Sequence, residues 1–309
     1  MDKILVIGSS NADLIATMEQ FPVAGETIEG VSFQQAMGGK GANQALAAHR
    51  AGGDVTFITS LGNDVNGQNA FQYYKNEGLD VSLSLLTDNE PTGTAMIWVD
   101  KKGENSIVII PGANKELTPE YIIAVEEKIA NADFIVLQME IPYETVKTIC
   151  EIAVKKGKKI LLNVAPACHL DDDILKAVHV LVVNETEAEI ISGEKMEELG
   201  EEAIVNKLLI MGVQNVVLTL GKEGSMFKNK EEQLKIPAFK VDTIDSTAAG
   251  DTFCGAMVAE LSKGHRMKEA LEFATAAAAI CVTRMGAQPS IPSEKEVRKF
   301  LNHRKQEIN

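Results

Sequence analysis

No stretch of this chain approaches the roughly 18 consecutive apolar residues that a membrane-spanning helix requires. Its start, Met1-Asp2-Lys3-Ile4-Leu5-Val6-Ile7-Gly8, also lacks the shape of a secretory leader, because the apolar run is short and turn residues follow at once. Cysteine is scarce. Cys150, Cys168, Cys254 and Cys281 form no C-x-x-C pair, and four in 309 residues are too few for a disulfide framework. They read as reduced thiols, and the expected location is the cytoplasm. Positive charge is in deficit: 30 Lys and Arg against 44 Asp and Glu leave a formal net charge of −14. A field of that sign repels nucleic acid and anionic lipid headgroups, so neither is an expected partner. An anionic substrate must then be held by local devices: a lysine, a metal ion or helix N-termini.

Familiar nucleotide and metal signatures are missing too. No G-x-x-x-x-G-K-[ST] occurs, which excludes a P-loop enzyme. After the first apolar run the chain reads Gly8-Ser9-Ser10-Asn11-Ala12-Asp13, without the second and third glycines of a dinucleotide fingerprint. There is no H-E-x-x-H or paired Cys/His cluster for zinc, and the five histidines are scattered.

Short, continuous apolar runs are present, at residues 4–7, 55–61, 134–137, 160–164, 180–183 and 216–220. Continuous rather than alternating runs suit parallel strands covered on both faces. Helical spacing separates them: residues 118–130, with Thr118 as N-cap and Pro119 at the first helical position, and residues 145–156. The C-terminal third is Ala-rich at 250–261 and 267–284 and closes on an amphipathic stretch at 293–303. Strand alternating with helix predicts an α/β fold with a doubly wound, mostly parallel sheet flanked by helices. Residues 27–36 follow a turn-like Pro22-Val23-Ala24-Gly25, and 94–99 and 106–110 flank a polar Asp100-Lys101-Lys102-Gly103-Glu104 turn that reads as a hairpin. Neither has room for a crossover helix. The expected organisation is a single unit, 1–309, with a small β-sheet lid from about 14–36 and 93–112; a fixed edge extension is the alternative.

Four segments carry candidate chemistry. In Gly38-Gly39-Lys40-Gly41-Ala42-Asn43-Gln44-Ala45, three glycines let backbone pass close to a ligand, and Lys40 and Asn43 offer donors where a helix begins. The alternative is a Gly-rich turn. In Asp245-Ser246-Thr247-Ala248-Ala249-Gly250-Asp251-Thr252-Phe253, a small Gly-containing turn runs into an apolar helix. The first amides of that helix, near 248–251, lack intrahelical partners and suit the charge on a transferring phosphoryl group. Asp251 could accept a proton from an attacking hydroxyl; alternatively it only caps the helix. Asn184-Glu185-Thr186-Glu187 ends a predicted strand, where ligand sites of open α/β sheets lie. Asn184 and Glu187 could hold a Mg²⁺–water shell and a phosphate oxygen, or form a capping box. Thr219-Leu220-Gly221-Lys222-Glu223-Gly224 ends another, with glycines permitting close approach to a nucleotide or simply turning the chain.

Together, and in this order, these motifs resemble the sugar-kinase family of ribokinase, fructokinase and adenosine kinase, over most of the chain from Asn11 to about Ile291. The ribokinase branch is the most similar, on Asn11-Ala12-Asp13, residues 22–27, 38–45 and 184–189, and Gly286-Ala287-Gln288. The resemblance implies a large α/β domain, a β lid whose two copies clasp in a homodimer, and ATP-dependent phosphorylation of D-ribose to D-ribose 5-phosphate. It implies sugar contacts at Asn11, Asp13, Gly39, Lys40, Asn43 and Glu140, and nucleotide contacts at Asn184, Thr219, Gly221, Gly224 and Gly250. It places a Mg²⁺-associated acid at Glu187, an anion hole at Ala248, Ala249 and Gly250, and the base at Asp251. It also implies activation by K⁺ at a site from Asp245, Thr247, Cys281, Arg284, Gly286 and Ser290, mostly through backbone carbonyls. The chain departs from the pattern at Val164 and Ser246, where Pro and Thr are common, and at Thr275, which replaces the His or Asn beside the adenine. Alternative readings are a kinase for 2-deoxyribose, fructose, tagatose or a nucleoside, or a non-catalytic sugar or nucleotide sensor. The polar set Asn11, Asp13, Lys40, Asn43 and Glu140 favours a free sugar, and the presence of Gly250 and Asp251 disfavours a sensor.

Overall fold

The structure, a computed structural model, describes residues 1–308. Its strands are β1 Lys3–Ile7, β2 Asn11–Thr17, β3 Ser32–Gly38, β4 Asp54–Ile58, β5 Ser60–Gly62, β6 Leu85–Thr87 and β7 Gly93–Val99. They continue as β8 Asn105–Ile110, β9 Phe134–Gln138, β10 Lys159–Asn163, β11 Val180–Asn184, β12 Asn215–Thr219, β13 Ser225–Lys228 and β14 Gln233–Ile236. The main sheet runs β14-β13-β12-β11-β10-β9-β1-β4. From β4 to β12 neighbours are parallel, and β13 and β14 add an antiparallel edge. In β1, Ile4 and Val6 enter one buried cluster while Leu5 and Ile7 enter another, so both faces are covered. That is why the run is apolar at every position rather than at alternate ones.

Two predicted elements divide. The run at 55–61 is β4 followed by β5, because after Thr59 the chain leaves the main sheet and pairs in parallel with β6. The helical stretch at 118–130 breaks at Val125, which closes Pro119–Ala124 and opens Glu126–Asn131. Val125 is β-branched, and its amide is shared between the carbonyls of Tyr121 and Ile122. No Gly or Pro marks the break.

A second sheet, β3-β2-β7-β8, begins with Asn11, four residues past the end of β1. It therefore hangs directly from a carboxyl end of the main sheet. β7 and β8 form the hairpin around residues 100–104. Asn11 and Asp13 lie at the seam between the sheets and are buried.

The helices Lys40–Arg50 and Ala249–Ser262 cross on one face of the main sheet. Their backbones touch at Gly255: a Cβ there would lie 2.5 Å from the carbonyl oxygen of Gln44. Glycine is required for so close a crossing. Asp251, one turn before Gly255, is thereby carried onto the first turn of the helix Lys40–Arg50. Among the described residues, no helix is long and apolar enough to cross a membrane.

Candidate active site

The helix Lys40–Arg50 starts abruptly because Gly39 takes φ +90°, with its Cα packed so that a Cβ would meet Ser10 Cα at 2.7 Å. Glu140, just past β9, receives that helix start. Its Oε2 accepts from the Lys40 amide at 3.0 Å and from Ser9 Oγ at 2.6 Å, and its Oε1 lies 3.9 Å from Lys40 Nζ. A carboxylate at a helix N-terminus is favoured by the free amides and the dipole. Asn11 is held from the other side, its Oδ1 accepting from Asn114 Nδ2 at 2.8 Å.

Asp251 is 8% exposed, and neighbouring residues of the crossing helix grip both its oxygens. Asn43 Nδ2 donates to Oδ2 at 3.0 Å, and Gln44 Nε2 donates to Oδ1 at 2.9 Å. The Oδ1 of Asn43 is buried with no partner. Ala248 starts the helix from the left-handed region at φ 59°, a position that costs a residue with a Cβ and recurs at functional sites. The predicted row of open amides is interrupted once: the Ala249 amide donates to the Ser246 carbonyl at 3.2 Å. Among the described residues, the amides of Ala248, Gly250 and Asp251 meet no acceptor.

Charge concentrates here. Burial first, and then Glu140 and Asp251, push the Asp13 carboxyl up to about 7 despite the opposing pull of Lys40. Burial opposes the charge on Lys40, but Asp251, Glu140 and Glu187 outweigh it and hold its pKa above the ordinary value. Burial also raises Glu187, with the Asn184 amide and Lys40 pulling it down. Asn184 and Glu187 do form the capping box, with reciprocal bonds of 2.8 Å. The box takes one oxygen of Glu187 and leaves the side chain in electrostatic reach of Lys40 and Asp251. Glu140, Glu187 and Asp251 around one lysine leave a negative surplus that suits a divalent cation carried in with phosphates.

On the far side of the helix start opens a cleft of 490 Å³. Thr219, Gly221 and Gly224 line one wall, and Gly250 and Thr275 another. The Thr275 hydroxyl donates to its own helix, at Leu271 O, 2.8 Å. Phe239, Val241, Ala278 and Val282 make the cleft apolar enough to take a flat ring. Beside it, two loops close on each other. Asp245 accepts from the Thr247 amide and hydroxyl, at 2.9 and 2.6 Å, and from the Gly286 amide at 2.9 Å. These bonds outweigh burial and lower its pKa. Cys281 Sγ lies 3.0 Å from Ser290 Oγ and 3.6 Å from Thr247 O. The Arg284 side chain turns away to Glu296 at 2.6 Å, so only its backbone could face this region. Among the described residues, no cluster of three or more His, Cys, Asp or Glu could hold a metal. Carbonyl and hydroxyl oxygens at these loops remain, hard donors that fit an alkali cation.

The structure thus gathers the sequence-predicted residues into a polar seam, a helix start with the Asn184–Glu187 box in its electrostatic reach, a cleft, and a pair of loops beside it from which only the Arg284 side chain turns away. The sequence reading missed the cleft wall of Phe239, Val241, Ala278 and Val282, which come from distant segments and carried no local signal. It also passed over the roles of Gln44, Gln138, Asn163 and Asn114, amides that each make a bond spanning 94 to 207 positions.

An α/β fold with a second sheet over its strand ends, and a carboxylate beside free helix amides, is an arrangement that suits a phosphotransferase with an alcohol acceptor. Comparison with known proteins makes the assignment specific. The chain belongs to the pfkB family of carbohydrate kinases, whose family model matches residues 1–294. It is 40% identical to a ribokinase of Staphylococcus aureus over 96% of this chain and 98% of that protein. It is 41% identical to a ribokinase of Haemophilus influenzae, over 97% and 98%. Among solved structures, Arabidopsis thaliana ribokinase complexed with ribose and ATP is similar with a TM-score of 0.91 and 32% identity, over 97% of this chain and 98% of that one.

Proposed function

We propose that this chain transfers the γ-phosphoryl group of ATP to O5 of D-ribose, giving D-ribose 5-phosphate and ADP. The observation that carries this reading is the Asp251 carboxylate, gripped by Asn43 and Gln44 beside the open amides of Ala248 and Gly250. Asp13, Lys40 and Glu140 bind the sugar hydroxyls, and the unpartnered Asn43 Oδ1 accepts one more. Asp251 takes the proton of the attacking hydroxyl as its oxygen closes on phosphorus. The helix-start amides stabilise the charge on the phosphoryl oxygens. The nucleotide lies in the cleft, by Asn184, Thr219, Gly221, Gly224 and Thr275, its ring against the wall around Phe239. Glu187 would help to hold Mg²⁺, which when bound would supply charge neutralisation at the phosphates. A K⁺ ion between residues 245–247 and 286–290 would steady the loop that leads into Ala248.

The test is ADP release over a panel of ribose, 2-deoxyribose, fructose, tagatose and adenosine, with and without K⁺. Ribose should give the highest kcat/KM, and K⁺ should raise it. No turnover on any sugar removes the reading; preference for 2-deoxyribose or a hexose reassigns the acceptor, and indifference to K⁺ removes the cation site.

The second sheet is proposed as a lid that pairs with a second copy. Its edge strand exposes Ile107, Val108, Ile109 and Ile110 in succession, beside Met96 and Trp98 on β7. An uncovered apolar edge of this kind is a liability that a symmetric partner removes. Sedimentation velocity at micromolar concentration should find a dimer; a monomer throughout would rule the pairing out. The four free cysteines suit a reducing compartment such as the cytoplasm.

A further inference from the structure

We propose that Gln44 is a positioning residue for phosphoryl transfer, anchoring one oxygen of Asp251 in the frame of the main sheet so that the other faces the acceptor hydroxyl. The inference rests on the reading of Asp251 as the base.

Gln44 is fully buried, and its amide spends both donors and its acceptor. Nε2 donates to Asp251 Oδ1 at 2.9 Å and to Asn163 Oδ1 at 3.0 Å, and Oε1 accepts from Gln138 Nε2 at 2.7 Å. Asp251 and Asn163 set the direction of the amide, and Gln138, whose own oxygen has no partner among the described residues, follows it. A carboxylate only accepts, so the nitrogen must face Asp251. Asn163 gives its own nitrogen to the Val182 carbonyl at 3.3 Å, which turns its oxygen to Gln44. Gln138 supplies a donor where the Gln44 oxygen lies. Gln138 and Asn163 are the last residues of β9 and β10, so the frame belongs to the rigid sheet rather than to a loop. A buried amide is costly unless all its bonds are made, and an apolar side chain would fill the same space without that cost.

Asn43, one residue earlier, does the opposite. It donates to Oδ2 but keeps its own oxygen unpartnered, so the Oδ2 side is where a substrate hydroxyl enters. Each oxygen of Asp251 accepts from one side-chain amide, yet the two are inequivalent: the donor on Oδ1 is locked into the sheet through Gln138 and Asn163, whereas the donor on Oδ2 carries an unpartnered oxygen beside it. Titratable groups within electrostatic reach of this carboxylate are Asp13 from β2, Lys40 from the crossing helix, Glu187 across the strand ends, and Cys254 and Cys281 from the packed helices. Glu140 acts on the same site through Asp13 and Lys40. Of these groups Gln44 is bonded to none; its only charged partner is Asp251.

The experiment compares Gln44→Met, of similar length without donors, with Gln44→Glu, which keeps the shape and adds a charge. At saturating sugar, kcat of Gln44→Met should fall on the order of 10–10²-fold, the effect of a misaligned reacting group. KM for the sugar should stay within about threefold, since uniform binding is untouched. The acid limb of kcat should move to higher pH, and further in Gln44→Glu, because lost donors and an added like charge both disfavour a carboxylate. In an Asp251→Asn background, Gln44→Met should change the residual rate no further. An unmoved acid limb in Gln44→Glu, a rise in KM alone, or a full further loss in the Asp251→Asn background would overturn the proposal. Should Gln44→Met fail to fold, the Gln44→Glu profile decides. Asp251→Asn retaining full turnover would sink the base itself; Asp251→Asn inactive with normal Gln44 variants sinks only this inference.

Discussion

Asp251→Asn is expected to lower kcat by on the order of 10²–10⁴-fold, the usual contribution of a positioned general base. The substitution keeps volume and shape in a buried site, so the fold and both substrate affinities should survive. Asn43 and Gln44 each donate to one carboxylate oxygen, and an amide at 251 can accept from only one of them. The remaining donor faces an NH₂ group, so Tm should fall by a few degrees for a loss of about 1 kcal/mol. Because the lost interaction forms only as the proton moves, kcat and kcat/KM should drop together, with KM for sugar and ATP within a few-fold. Steady-state kinetics at fixed pH, with a thermal melt of the same sample, measures all three. Turnover within threefold of the parent would remove Asp251 from the chemistry and leave it a helix-capping residue.

Asp13→Asn should separate function from stability. Binding of sugar hydroxyls to an ionised carboxylate uses charged hydrogen bonds worth about 1.5–3 kcal/mol, so kcat/KM for the sugar should fall on the order of 10–10²-fold. Stability should move the other way, in a pH-dependent manner. Burial raises this carboxyl from its ordinary 3.8 to about 7 in the folded protein. The protonated form therefore contributes its full stability below about pH 4, and that contribution is lost as pH rises through 7. A neutral amide escapes the loss. The variant should melt above the parent at pH 8, and the two should converge near pH 4. In the parent, KM for the sugar should rise as pH falls below 7, while in the variant it should be flat over that range. A variant less stable than the parent at pH 8 would mean that Asp13 is held charged by partners that offset its burial. The site would then sacrifice no stability for binding at this residue.

Much of the fold was legible because burial on both faces writes itself into consecutive residues. Each of the six apolar runs contributes a parallel strand of the main sheet, and the Ala-rich third forms two closely packed helices. Where pairing alone decided, the reading fell short. Nothing in residues 55–61 marks the switch of sheets after Thr59, and nothing at Val125 announces a break. The candidate site was legible in the same proportion. Asp251, Lys40 and Asn43 stood out because glycine and small residues beside them leave backbone groups open to a ligand. Gln44 sat in the same motif without notice, since an amide on a helix has no visible purpose until its partners arrive.

By itself, then, the chain determined which segments are buried, where helices start and which short motifs leave amides or carboxylates open, because these depend on neighbours within a few residues. Only the tertiary structure decided that the carboxylate of residue 251 would lie across residues 43 and 44. That depends on two helices touching at Gly255, a contact between positions more than two hundred apart. The elevated proton affinity of Asp13 and the apolar cleft around Phe239 have the same origin: both are produced by groups brought together in space, and neither exists in the chain before it folds.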